Sequence, residues 1–182
     1  MWKAIHAVVW SIGFALAATL AGCDGSGAEM SEAPAEAARP DPATADRLWR
    51  EGLETERGGE LSTAVSKYYE ALKADPDHVS TLNHVAWMRA THPSDKMRNG
   101  AEAVRLAERA AAVSRRTGAR AKQLSDILDT YAAAFAEAGR FDEAAETAEE
   151  AANVAESAGR RNAADSFRQR KQLYQSRKAY RD

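Results

Sequence analysis

From Thr44 to the last residue, apolar side chains return every three or four positions, the period that puts them on one face of an α-helix. Alanine and charged residues fill the spaces between, and runs of β-branched residues are almost absent, which favours helix over strand. Breaks in the pattern fall at Gly58-Gly59, Asp75-Pro76, the stretch Thr91-His92-Pro93-Ser94, Gly118, Gly139 and Gly159. Between them the spacing predicts seven helices, roughly 44–57, 60–74, 78–90, 99–115, 122–138, 141–157 and 161–178. The expectation is an all-α domain.

The second, fourth and sixth of these helices share a stripe of small residues. Ala64, Tyr68 and Ala71 stand at spacings of four and three, as do Ala103, Ala107 and Ala110, and again Ala144, Ala148 and Ala151. Alanines on one face let helix backbones approach closely. The stripe recurs after 39 and then 41 residues, which marks a repeat array. A lone helical hairpin cannot bury both its apolar faces, so stacked hairpins and a terminal helix are expected to make one continuous core. Leu61, Val65, Tyr69 and Leu72 supply larger side chains between repeats.

The first hairpin resembles the tetratricopeptide repeat. That family places a small residue, an alanine, an aromatic, an alanine and a proline at fixed offsets, and Gly52, Ala64, Tyr68, Ala71 and Pro76 match all five. The third hairpin matches with Ala132, Phe135, Gly139, Ala144, Ala148 and Ala151, and has Glu156 at the proline place. The middle one has Leu82, Val85 and Ala86 in place, but needs extra residues around His92–Lys96 before Ala103 falls into line, and more follow around Arg115–Ala121. The resemblance covers about residues 45–158. It implies a tetratricopeptide-type α-solenoid of three hairpins, with 160–182 as a capping helix within a domain spanning 44–182.

The chain begins differently. Lys3 precedes a weakly polar run from Ala7 to Leu20, and no acid occurs before residue 24, the layout of a secretory signal. The run is shorter than the roughly 20 residues needed to cross a bilayer. Leu20-Ala21-Gly22-Cys23 resembles the lipobox of bacterial lipoproteins, which implies removal of residues 1–22 and a covalent lipid on Cys23. Ordinary secretory cleavage after Ala15-Leu16-Ala17 is the alternative, and it leaves Cys23, the only cysteine, as an unpaired thiol. Several acyl chains hold a protein stably to a membrane. Asp24 resembles the signal that retains enteric lipoproteins on the inner membrane. The expected location is therefore the bacterial cell envelope, on the outer side of the inner membrane, with the outer membrane or a soluble periplasmic or secreted state as alternatives. Residues 23–43 read as the lipidated cysteine and a small, polar, proline-bearing tether.

The formal net charge is −2, and it becomes −3 once residues 1–22 are removed, which argues against nucleic acid as the main partner. Charge is unevenly placed: residues 160–182 carry eight bases and two acids, whereas 137–156 carry seven acids and one base. The basic helix suits either its acidic neighbour or anionic lipid headgroups. His6, His78, His84 and His92 lack metal-ligand spacing, and neither a nucleophile elbow nor a phosphate loop occurs. No enzyme, metal or cofactor is expected beyond the lipid.

The tetratricopeptide resemblance also implies a concave groove lined by the first helix of each hairpin. Its peptide-contact places fall on Asp46, Trp49, Leu53 and Glu56, then Asn83 and Trp87, then Asp126, Asp129 and Glu137. Two tryptophans with a surplus of acids suit a basic or apolar segment. Trp49 and Trp87 read equally as helix-packing residues. The places of the family's carboxylate clamp hold Trp49, Leu53, His84, Asp126 and Thr130, so that clamp is absent. The expected function is a membrane-anchored, non-catalytic scaffold that binds a protein or peptide, and the alternative is a structural subunit that self-associates.

Overall fold

The computed structural model describes residues 39–182. Cys23, the signal segment and most of the tether lie outside the described residues. Seven α-helices follow in order: α1 Pro42–Arg57, α2 Leu61–Ala74, α3 Val79–Thr91, α4 Gly100–Arg116, α5 Ala121–Glu137, α6 Phe141–Ser157 and α7 Arg161–Gln175. No strand occurs among the described residues.

Two ends differ from expectation. Helix α1 starts at Pro42 rather than Thr44, because the Asp41 carboxylate accepts the Thr44 amide at 3.0 Å and Pro42 opens the first turn. The Asp41 amide in turn donates to the Ala74 carbonyl at 2.8 Å, so the end of the expected tether belongs to the folded domain. Helix α7 stops at Gln175 instead of running to 178, and Arg177 at φ 54° turns the chain back. The hairpin turns follow one plan. At the end of α5, Gly139 takes φ 78°, its amide bonds to the Ala136 carbonyl and the next amide, of Arg140, bonds to that of Phe135. That pair of bonds caps the helix end, and glycine holds the left-handed turn without strain.

The three alanine-rich stripes are the core. Ala64, Tyr68, Ala71, Ala103, Ala107, Ala110, Ala144, Ala148 and Ala151 are all fully buried, as are Ala86 and Ala132. At Gly52 on α1, a β-carbon would lie 2.5 Å from the Tyr68 ring, so only hydrogen fits there and α1 closes tightly on α2. Apolar clusters then run along the stack: Ala64 and Tyr68 meet Val85 and Met88, Ala86 and Ala90 meet Ala103 and Ala133, and Leu128 meets Ala151 and Phe167.

The extra residues after α3 are folded. A short 3₁₀ turn spans Asp95–Met97, and Arg98 reaches the His92 carbonyl at 2.7 Å and the Glu137 carboxylate at 3.0 Å. Gly100, the next residue but one, lies so close to the α5–α6 turn that a β-carbon would sit 2.6 Å from the Ala138 nitrogen. Beside the 3₁₀ turn Arg89 donates to the Met97 carbonyl at 3.0 Å and to the Tyr69 hydroxyl at 3.1 Å and pairs with Glu102 at 3.0 Å, linking α2, α3 and α4.

Candidate functional groove

The odd-numbered helices line a groove of about 790 Å³. Trp49 comes from α1; Val79, Ser80, Asn83, His84 and Trp87 from α3; Lys122, Gln123, Asp126, Ile127, Asp129 and Thr130 from α5; Phe167 and Arg170 from α7; and Arg120 from the turn before α5. Helical spacing produces this: Ser80, Asn83 and Trp87 stand at intervals of three and four on one face of α3, and Gln123, Asp126 and Thr130 repeat those intervals on α5.

Five of the nine expected contact residues are on this lining, namely Trp49, Asn83, Trp87, Asp126 and Asp129. The other four are placed elsewhere. Leu53 packs against the cluster of Ala64, Tyr68, Val85 and Met88. Asp46 meets His78 Nε2 at 2.9 Å at the exposed edge of α1. Glu56 accepts from the Tyr68 hydroxyl at 2.5 Å and meets His84 Nε2 at 2.7 Å. Glu137 is held by Arg98 at 3.0 Å and by Arg181 at 2.7 Å.

The expected surplus of acid is absent from the lining. Asp129 is buried, with only 5% of its surface exposed, and receives two Arg170 hydrogen bonds of 2.7 Å each. Asp126 pairs with Arg160 at 2.8 Å. Arg160 and Arg170 come from the start and the body of α7, so the capping helix turns bases inward and neutralises both carboxylates. Burial pushes the Asp129 carboxyl above the ordinary carboxylate range despite the pull of Arg170. Burial likewise opposes the charge on Arg170, yet its bonds to Asp129 hold the guanidinium above its usual value. The fully exposed residues of the lining are basic or neutral, Arg120, Lys122, Gln123 and Ser80, while the paired Asp126 side chain keeps 43% of its surface. Two further bases of the capping helix pair with α6, Lys171 with Glu149 at 2.9 Å and Arg168 with Glu156 at 2.5 Å.

His78 and His84 are engaged in holding helices together. His78 bridges Asp46 and the hydroxyl of the fully buried Thr81, 2.7 Å from Nδ1. His84 lies edge-on to the Tyr68 ring, with 4.9 Å between centroids. Among the described residues no group of three or more His, Cys, Asp or Glu could hold a metal ion, and no helix is long and apolar enough to cross a membrane.

The segment after α7 is the part sequence reasoning missed. It returns to the end of α3, where the Asp182 carboxylate accepts the Trp87 indole N–H at 2.9 Å and the Asp182 amide donates to the Thr91 carbonyl at 3.1 Å. Tyr180 lies 5.7 Å from the Trp87 ring, and Arg170 sits 5.2 Å from Tyr180 and 5.9 Å from Trp87. Trp87 is therefore both a groove residue and a packing residue. Tyr180 was the available signal, an aromatic beyond the last helical turn with no place on the α7 face.

No family model matches the chain, and no curated protein does. Among solved structures it is similar to the N-terminal domain of stress-induced protein-1 (STI-1) from C. elegans, with 17% identity over 69% of this chain and 95% of that one, at a TM-score of 0.54. That neighbour is a helical domain of the tetratricopeptide type. At such low identity the likeness concerns the fold, and with the seven helices and their small-residue stripes it establishes that the chain folds as a tetratricopeptide-type α-solenoid.

Proposed function

We propose that this protein is a non-catalytic scaffold, which binds an extended segment of a partner protein in the groove between α1, α3 and α5. The observation that carries the reading is the lining itself. It combines the Trp49 and Trp87 rings with exposed polar and basic groups from two parallel helix faces, on a fold whose other polar side chains are largely paired with one another. Aromatic anchors among oriented polar groups suit protein recognition. With Asp126 and Asp129 each paired to an arginine and Arg120 and Lys122 exposed, the three bases of the lining outnumber its two acids, and the groove favours a segment with apolar and acidic residues.

The reading places the scaffold at a membrane surface of a bacterial envelope, held by lipid on Cys23. The lipobox-like sequence before that cysteine supports it. Replacing Cys23 with alanine is expected to shift the protein from the membrane to the soluble fraction and to abolish labelling by a clickable fatty acid. Retention of both would remove the anchor from the proposal.

The groove is tested by a photo-crosslinking amino acid placed at Ser80 or Gln123, both exposed on the lining. A discrete adduct is expected in cells from either position. Filling the groove from the facing helix, with Gln123→Trp or Ser80→Trp respectively, is expected to abolish it. An adduct that persists in the filled groove, or none at either position, sinks the proposal, and an adduct between two copies of this chain redirects it to self-association.

A further inference from the structure

The segment Tyr180-Arg181-Asp182 joins the stack without forming a helix, with Tyr180 packed on the alanine-rich core of α5 and α6. Each of its residues also meets the stack through a different chemistry. Tyr180 lays its ring against Trp87 and Arg170. Arg181 pairs with Glu137 at 2.7 Å and reaches toward the Ala90 carbonyl at 3.5 Å. Asp182 accepts from the Trp87 indole and donates its amide to the Thr91 carbonyl. Ala90 and Thr91 are in the last turn of α3, where helix carbonyls lack partners inside the helix and attract donors and positive charge. An aromatic platform, a carboxylate and unpaired carbonyls in a row form a peptide-binding arrangement.

We infer that the surface made by Trp87, Ala90, Thr91 and Glu137, which adjoins the groove at Trp87, is a recognition subsite for an extended peptide bearing an aromatic, a basic and an acidic residue in succession, and that Tyr180-Arg181-Asp182 is its tethered occupant. This rests on the groove reading above and adds a subsite beside the groove, where Glu137 sets the preference for a basic residue. The tether is displaceable. Arg181 and Asp182 are exposed, so their ion pair and hydrogen bonds compete with water, and the hinge is a single non-glycine residue in a left-handed conformation, Arg177. A partner carrying the same succession takes over the same contacts, and in doing so frees the segment.

The test uses the full chain and a fluorescent octapeptide with the sequence of residues 175–182, QSRKAYRD. In the wild type the tethered copy competes. In the double variant Tyr180→Ala, Asp182→Ala the subsite is open, and the octapeptide is expected to bind about tenfold more tightly, as for a site previously free about one-tenth of the time. Adding Trp87→Phe, which keeps a ring and removes the indole N–H, is expected to reverse the gain, and a scrambled octapeptide is expected not to bind. Equal affinity for wild type and variant, absence of binding to the variant, or indifference to Trp87→Phe overturns the inference. Should the double variant melt at a markedly lower temperature, Arg181→Glu serves in its place, since it opposes Glu137 from an exposed position. Failure here leaves the crosslinks at Ser80 and Gln123 untouched, whereas their failure alone leaves the octapeptide result standing, so the two readings fall separately.

Discussion

At the scale of single residues, two glycines set how closely neighbouring elements approach. A methyl group at Gly52 would overlap the Tyr68 ring, and that ring cannot retreat, because it is fully buried and its hydroxyl is tied to Glu56. Gly52→Ala is expected to cost about 1–3 kcal/mol by overpacking, which for a domain of this size lowers the melting temperature by several degrees, at roughly 2–4 °C per kcal/mol. Gly100→Ala is expected to cost at least as much, since its methyl meets the backbone of Ala138, which no rotamer change can move. Thermal denaturation followed by circular dichroism checks both, and a melting temperature within a degree of wild type for either contradicts the contact. Gly52 was legible in the sequence, because its offset from Ala64 and Tyr68 belongs to a repeating pattern. Gly100 was not, since its neighbour lies 38 residues away in a turn whose approach depends on how the insertion after α3 folds. Asp129 does stand on the lining, as expected, but its burial was not legible, for a similar reason. Its spacing on α5 is that of a groove residue, but its partner Arg170 comes from 41 residues away and buries it.

Among the elements, α7 decides the character of the groove. It stands where the first helix of a fourth hairpin would stand, and Arg160 and Arg170 reach back to α5 while Arg168 and Lys171 reach α6. Asp129→Asn leaves the largely buried Arg170 without its counter-charge, and loss of one partner of such a pair costs on the order of 3–5 kcal/mol. The change is therefore expected to loosen α7, read as faster amide hydrogen exchange across residues 161–175. Exchange that speeds up equally in α1 and α7 contradicts that local role. Acid acts on the same junction. The Lys171 ammonium holds the Glu149 carboxyl below its ordinary value of 4.5, and at the other end of the chain the bonds from Tyr68 and His84 outweigh burial and hold Glu56 below it as well. Groups depressed in the folded state add stability that is fully present above their unfolded value, and it is lost as pH falls through the folded one. The melting temperature is expected to be level with respect to these two carboxylates above about pH 5 and to decline below about 4.5. Glu149→Gln should flatten part of that decline, and an unchanged acid limb removes Glu149 from the account.

At the scale of the whole molecule, the number, order and approximate limits of the helices were readable, because helical periodicity, capping residues and glycine turns act over a few residues. The docking of α7 and of the segment after it was not readable in the same way, since it depends on contacts between residues that are distant in sequence. Those contacts set the stability of the stack. Repeats of this kind touch mainly their neighbours, so a terminal repeat without its cap exposes an entire apolar face. Here the cap covers Leu128, Ala151, Ala152 and Ala155 with Ala164 and Phe167, while Tyr174 is fully enclosed against Ala132, Phe135 and Ala148. Burying one large side chain of this type contributes about 1.5–3 kcal/mol. Phe167 and Tyr174 together therefore supply roughly 5 kcal/mol, against a total stability for a domain of about 5–15 kcal/mol. A chain that stops at Gly159 forfeits this and also leaves its last apolar face in water. It is expected to lose cooperative thermal unfolding, or to melt at least about 10 °C lower, and to bind a hydrophobic dye at room temperature. Restoring α7 as residues 160–175 without the following segment should recover the cooperative transition, because Phe167, Tyr174 and the Arg170 pair are all present in that piece. If the shorter chain instead melts as sharply and as high as the full one, the cap is dispensable, and the inward bases of α7 serve the groove alone.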